Sequence, residues 1–226
     1  VGSIVDQHDL GAFMPADVRV ALARGVSLPD RGRGSVLEAD VSDFTLLTEA
    51  LARQHGDRRG AEEVAAVLTR VYGALVAEVD RHGGSAVEFS GDAVSCCFHG
   101  DDGSRALRCG LAMQSAMAAL RAANPDYPAL KVTVAAGDFR RFSVGDPRIR
   151  RLEVIAGPAV DRLYAVAPRA GPGDVLADGP VAHQLGSRLE LAGWRPGDDG
   201  QSAALVTAVH ASPLPPAVPG PPIPDD

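Results

Sequence analysis

Residues 85–98 read SAVEFSGDAVSCCF, in which two β-favouring runs, Ser85 to Phe89 and Ala93 to Phe98, flank Ser90-Gly91-Asp92. Gly-Asp between such runs is a strong hairpin signal and puts Asp92 on a turn. Immediately upstream, Val64, Val67, Leu68, Val71, Leu75 and Val79 recur at helical spacing, with Glu62, Glu63, Arg70, Glu78 and Arg81 elsewhere. That pattern predicts a long amphipathic helix ending at Gly83-Gly84. Further back, Ser35 to Ala39 is a short apolar run with an acid, Asp40, at its end. It reads as a buried strand leading into a helix that opens over Asp43-Phe44-Thr45-Leu46-Leu47-Thr48-Glu49.

Downstream of the hairpin, Ser104 is placed to cap a second long helix, whose apolar residues Leu107, Leu111, Met117 and Leu120 run to the Asn124-Pro125 break. Strands are expected at Lys131 to Ala136, Phe139 to Val144 and Leu152 to Ile155, and a helix at Pro158 to Val166 after Gly157. A last strand follows at Val175-Leu176, with a weaker pair at Leu189 to Trp194 and Ala203 to Val209. The order is that of an α+β, ferredoxin-like βαββαβ core, a mainly antiparallel sheet with helices covering one face. The expected organisation is a leading linker with a short helix (Ala16 to Ala23) over 1–33, the main domain over 34–212, and a Pro-rich extended or disordered tail over 213–226.

Composition narrows the function classes. The 226 residues are 46% apolar but only 4% aromatic, enough for one sizeable aliphatic core. No run approaches the ~18 to 20 apolar residues that span a bilayer, and no signal peptide opens the chain. With 22 basic against 29 acidic residues the net charge is -7, which disfavours nucleic acid and anionic membrane as partners. The odd set Cys96, Cys97 and Cys109 argues against a disulfide framework and for a reducing cytoplasm. Lysine occurs once, at Lys131. With Val1 first, the sequence reads as a segment of something longer.

The chemical signal is Asp40 at the end of the first strand together with Asp92 on the hairpin turn. In a βαββαβ sheet those strands are neighbours, so two acids remote in sequence can sit side by side. Mg²⁺ is commonly held by one or two carboxylates plus waters and substrate phosphates, and backbone N–H groups of Ser42 to Thr45 at a helix start would point at a phosphate. Each acid alone also has an ordinary reading, Asp40 as a helix cap and Asp92 as a turn residue. Cys96 and Cys97 read as strand packing residues and the six histidines show no close ligand spacing; Arg140 and Arg141 either face bound phosphates or are solvated strand-end residues, the second favoured because adjacent strand residues point to opposite faces.

Glu38-Ala39-Asp40-Val41-Ser42-Asp43-Phe44-Thr45, followed by Glu88-Phe89-Ser90-Gly91-Asp92-Ala93, resembles the two metal-binding segments of the class III adenylate and guanylate cyclases. Gly83-Gly84, Val134-Ala135-Ala136-Gly137 and Val154-Ile155-Ala156-Gly157-Pro158-Ala159-Val160-Asp161 extend the resemblance over residues 34 to 180 or so. It is most similar to the first domain of the soluble-type, bicarbonate-responsive enzymes. The resemblance implies two Mg²⁺ (or Mn²⁺) ions held by Asp40, Asp92 and the Val41 carbonyl, phosphate contacts from Ser42, Asp43, Phe44 and Thr45, and conversion of ATP to cyclic AMP and pyrophosphate. Fold-level inheritance of this kind is safer than inheritance of activity.

In that family a partner face supplies a base-reading lysine, an Asp or Thr, a ribose-orienting Asn and a transition-state Arg. The matching positions here hold Glu88, Val154, Asp161 and Ala165. Ala165 brings no positive charge to a phosphorane, so a homodimer is expected to be nearly inactive and a nonidentical second cyclase domain to be needed. Asp43 stands where a glycine usually lets the backbone approach phosphate. Bicarbonate sensing through basic side chains is not expected, with Glu88 at the lysine position and Tyr164 beside the arginine position. The alternative is a catalytically degenerate cyclase-like module with a regulatory or dimerisation role.

Overall fold

An eight-stranded sheet organises the chain, and the computed structural model describes residues 14–42, 44–146, 148–197 and 202–210. The Pro-rich tail at 213–226 and Asp43 lie outside the described residues. The elements in chain order are α1 (Ala16–Ala23), β1 (Arg31–Ser42), α2 (Phe44–His55), α3 (Asp57–Arg81), β2 (Ser85–Ser90), β3 (Ala93–His99), α4 (Ser104–Ala123), β4 (Ala129–Asp146), β5 (Arg150–Ala156), α5 (Pro158–Val166), β6 (Val175–Asp178), α6 (Gly179–Leu185), β7 (Leu189–Pro196) and β8 (Ser202–Val209). The main path of the sheet runs β2-β3-β1-β4-β6-β8-β7, with β5 pairing to β4. Every pairing is antiparallel except β4 with β6. The α+β architecture with a mainly antiparallel sheet expected from the sequence is the one observed, but helices cover both faces rather than one, α3 and α4 on the first and α5 on the second. No helix among the described residues is long and apolar enough to cross a membrane.

Strand alternation divides the core. Leu37, Ala39 and Val41 of β1, with Cys96 and Phe98 of β3 and Val132 and Val134 of β4, pack under Val71, Leu75 and Val79 of α3 and Leu107, Met113 and Met117 of α4. Burying each such leucine, phenylalanine or methionine is worth roughly 1.5–3 kcal/mol. The intervening residues Val36, Cys97, Ala135 and Phe139 face the other way and meet Ala159, Val160 and Leu163 of α5. Glycine is required at Gly34, where a Cβ would lie 2.1 Å from the Phe98 carbonyl oxygen.

The helix that opens after β1 and the amphipathic helix are, as expected, separate elements, α2 and α3, divided at Gly56, whose φ of 79° suits glycine. Three local expectations change in the folded chain. The strands expected on either side of Gly137 are one continuous β4, whose first half pairs with β1 and whose second half pairs with β5. At the start of α4 the Ser104 side chain makes no cap; Asp101, buried, accepts from the backbone N–H of Arg105 at 3.0 Å and of Ala106 at 3.1 Å. A carboxylate just before the helix satisfies two end donors, where one hydroxyl would satisfy one.

The third change concerns Arg141. Arg140 is partly exposed and pairs with Asp30 at 2.9 Å, as a strand-end residue should. Arg141 is instead buried, its guanidinium bonded to Asp17 of α1 and, at 2.8 Å through Nε, to Glu153 of β5. Adjacent strand residues point to opposite faces, and α1 covers the face that Arg141 takes. Burial would push the Asp17 carboxyl up, but the His99 ring, whose Nε2 lies 3.3 Å away, and the charge of Arg141 outweigh it and bring the carboxyl down to about 2.

Candidate active site at the end of the central strands

β1 and β3 run antiparallel with Asp40 opposite Ala93, and the Val41 N–H donates to the Asp92 carbonyl at 2.9 Å. The two acids, far apart in sequence, therefore occupy the same end of two neighbouring strands. Tyr72 of α3 reaches the same corner, donating from its hydroxyl to the Gly91 carbonyl at 3.4 Å. Burial raises the Tyr72 phenol above its ordinary value, and the charges of Asp92 and Asp40 raise it further. One hydroxyl thus feels both carboxylates.

Lys131, directly opposite Asp40 in the β1–β4 register, completes the corner. Its Nζ lies 2.7 Å from Asp40 Oδ2, and both side chains keep about a third of their surface in solvent. Lys131 went unrecognised in the sequence reading, although antiparallel register and its status as the chain's one lysine were available signals. Ser42 is buried, and its hydroxyl has no hydrogen-bond partner among the described residues. It sits beside the start of α2, where Phe44 and Thr45 present the first N–H groups of the helix. The donor set fits a hard divalent cation with a phosphate beside it: two carboxylates, an unsatisfied hydroxyl, a helix start and a lysine paired with one of the carboxylates. Asp43 lies outside the described residues.

The four positions read as a partner-type face lie on β2, β5 and α5. Glu88 is exposed opposite Ser95 of β3, Val154 is half-buried opposite Phe142, and Asp161 and Ala165 lie on α5, exposed and half-buried. Between them, the half-exposed Tyr164 hydroxyl bonds to Ser95 and Glu38. Burial pushes the Glu38 carboxyl up; the Tyr164 hydrogen bond and Lys131 pull it down, while Asp40 adds to the rise. Glu38, Ser95 and Tyr164 belong to this face although sequence reasoning singled out only Tyr164 among them. Alternation along β1 places Glu38 and Asp40 on one face and was the signal for Glu38.

No family model matches the sequence. The chain is 27% identical over 161 residues to mouse (Mus musculus) adenylate cyclase type 10, covering 69% of this chain and 10% of that protein. It therefore spans about a tenth of the curated relative it matches. Among solved structures, the guanylyl cyclase Cya2 superposes with a TM-score of 0.69 at 23% identity, over 80% of this chain and 94% of the other. The guanylate cyclase domain of RhGC from Catenaria anguillulae, solved in complex with GTP, superposes with a TM-score of 0.66 at 16% identity, over 80% and 100% of the two chains.

Proposed function

We propose that this chain, which has the fold of the class III nucleotide cyclase catalytic domains, supplies the metal-binding half of a composite active site that converts ATP to cyclic AMP and pyrophosphate. The observation that carries this reading is the meeting of Asp40 and Asp92 at one corner, beside Lys131, Ser42 and the start of α2. The sequence kinship to an adenylate cyclase supports ATP as the substrate.

In the reaction the ribose 3′-oxygen attacks the α-phosphorus in line, the bond to the β-phosphate oxygen breaks, pyrophosphate departs and the hydroxyl proton passes to solvent. Two Mg²⁺ or Mn²⁺ ions, when bound, favour the ionised 3′-hydroxyl and neutralise the triphosphate. Asp40, Asp92 and the Val41 carbonyl would hold them. Lys131, released from Asp40, presents its ammonium to the phosphates, and the Ser42 hydroxyl and the backbone N–H groups of Phe44 and Thr45 orient them. The site is one of positioning and charge stabilisation, with no covalent enzyme intermediate.

None of the four partner-type positions, Glu88, Val154, Asp161 and Ala165, carries a cation for a phosphorane. Glu88, Glu38 and Asp161 bring negative charge there, so a second, nonidentical cyclase domain in the same or another chain would supply the lysine, asparagine and arginine. The test is to mix the chain with a cyclase domain that has those residues intact but lacks the metal carboxylates. Cyclic AMP should form with Mn²⁺ and disappear with Asp40→Ala; no product under any pairing ends the proposal.

A second reading, a degenerate cyclase-like regulatory or dimerisation module, is favoured by the same Glu88, Val154, Asp161 and Ala165. Calorimetry with a nonhydrolysable nucleotide and Mn²⁺ separates the two, since metal-dependent binding counts against a purely structural role.

A further inference from the structure

A second set of ligand-type atoms lies on the sheet face covered by α1 and α5. Cys97 and His99, two apart on β3, share that face, and Asp17 in the first turn of α1 comes down on them. One ligand atom from each lies within 4.8 Å of the others. Asp17 Oδ2 is 3.3 Å from His99 Nε2 and 4.0 Å from Cys97 Sγ. A tetrahedral Zn²⁺ with bonds of roughly 2.0 to 2.3 Å spaces its ligand atoms roughly 3.3 to 3.8 Å apart, so these side chains stand near that geometry already.

An independent observation concerns His99. Its Nε2 is shielded from solvent and, despite the nearby carboxylate, makes no hydrogen bond of acceptable geometry with any described residue. Its ring is held 5.3 Å from that of Phe139. A buried ring nitrogen without a good partner carries a cost that a metal bond would remove.

We propose that Asp17, Cys97 and His99 form a site for a borderline transition-metal cation, Zn²⁺ by donor chemistry, that staples α1 to β3. The nitrogen, sulfur and oxygen set selects against Mg²⁺, which takes oxygen ligands, so this site is chemically distinct from the Asp40 and Asp92 corner. Burial keeps the Cys97 thiol protonated at neutral pH, with its pKa pushed up to about 12. Binding therefore forms a zinc–sulfur bond and releases the thiol proton to solvent. Charge closes around the ion: Asp17, the Cys97 thiolate and Glu153 are matched by Zn²⁺ and Arg141. Arg141 yields its Asp17 oxygen and keeps Glu153, to which Nε donates at 2.8 Å.

The experiment uses the untagged full chain, stripped of metal, with Zn²⁺ measured by equilibrium dialysis and Co²⁺ as the spectroscopic probe. The expected result is a tightly bound equivalent of Zn²⁺ and, with Co²⁺, a thiolate-to-metal charge-transfer band with tetrahedral visible absorption. Both should vanish in C97S, and Zn²⁺ affinity should fall by on the order of a hundred-fold in H99Q, a partly exposed position that gives a second reading if C97S folds poorly. The double variant Asp40→Asn with Asp92→Asn should keep the equivalent and the band, so failure of the cyclase reading leaves this one standing. Wild-type chain binding no more Zn²⁺ than H99Q, or a charge-transfer band that persists in C97S, overturns the site.

Discussion

Two charged clusters sit on one sheet and differ in what their cations are free to do. At the Asp40 and Asp92 corner the positive charge is a lysine on a flexible stem, about a third in solvent. At the α1 contact it is Arg141, buried and forked between Asp17 and Glu153. A lysine in a partly wet ion pair contributes little stability and exchanges readily for another cation. A buried arginine bonded to carboxylates from two elements fixes backbone, and removing one partner strands a charge. Solvent access separates a place suited to chemistry from a place suited to holding the chain together.

The sharpest break in that comparison is Asp40→Ala. With a complementary domain and Mn²⁺ it should lower cyclic AMP formation by on the order of a thousand-fold while leaving the thermal midpoint nearly unchanged, as read by product assay and calorimetry. Arg141→Met should do the opposite, costing about 3 kcal/mol in a urea titration with no specific effect on metal affinity at the corner. Retained stability in that variant would place the two clusters in the same class.

Asp17→Asn comes next. The folded-state carboxyl lies at about 2, against ~3.9 in an unfolded chain, so the depressed group stabilises the fold by about 2 kcal/mol at neutral pH. The sign follows from the direction of the shift: the contribution is fully present above pH ~4 and lost as pH falls through about 2. Wild-type and Asp17→Asn stabilities should therefore converge between pH ~4 and ~2, with the gap widest at neutral pH. The smallest effect is expected of Lys131→Gln. Removing a half-exposed competitor for Asp40 should tighten Mn²⁺ binding by a few-fold, about 0.5 to 1 kcal/mol, in titration calorimetry without nucleotide.

The elements that position the corner were legible because each rests on local chemistry. The Gly91-Asp92 turn, the valines at helical spacing in α3 and the acid closing β1 carry their structural meaning within a few residues. What escaped is what depends on register and on faces covered from afar. Lys131 meets Asp40 only because β4 pairs with β1 in one alignment. Arg141 is indistinguishable from Arg140 until α1 is placed over it, and Cys97 with His99 gains a third companion only through Asp17. At the α4 start Ser104 looked sufficient as a cap, yet Asp101 reaches two N–H groups. The proposal of a composite site, by contrast, rests on four residues that resemble nothing useful for catalysis, a signal that only family resemblance makes visible.

β4 is one strand from Ala129 to Asp146, and it carries both Lys131 and Arg141. Ten extended residues cover roughly 33 Å, so the Lys131–Asp40 pair at the corner and the knot that anchors the leading helix are mounted on a single beam. Gly137, with φ of 150°, lies between the two. Tension applied upstream of the sheet through Asp17 passes across one ion pair to Arg141 and from there along the β4 backbone to Asp40's neighbour.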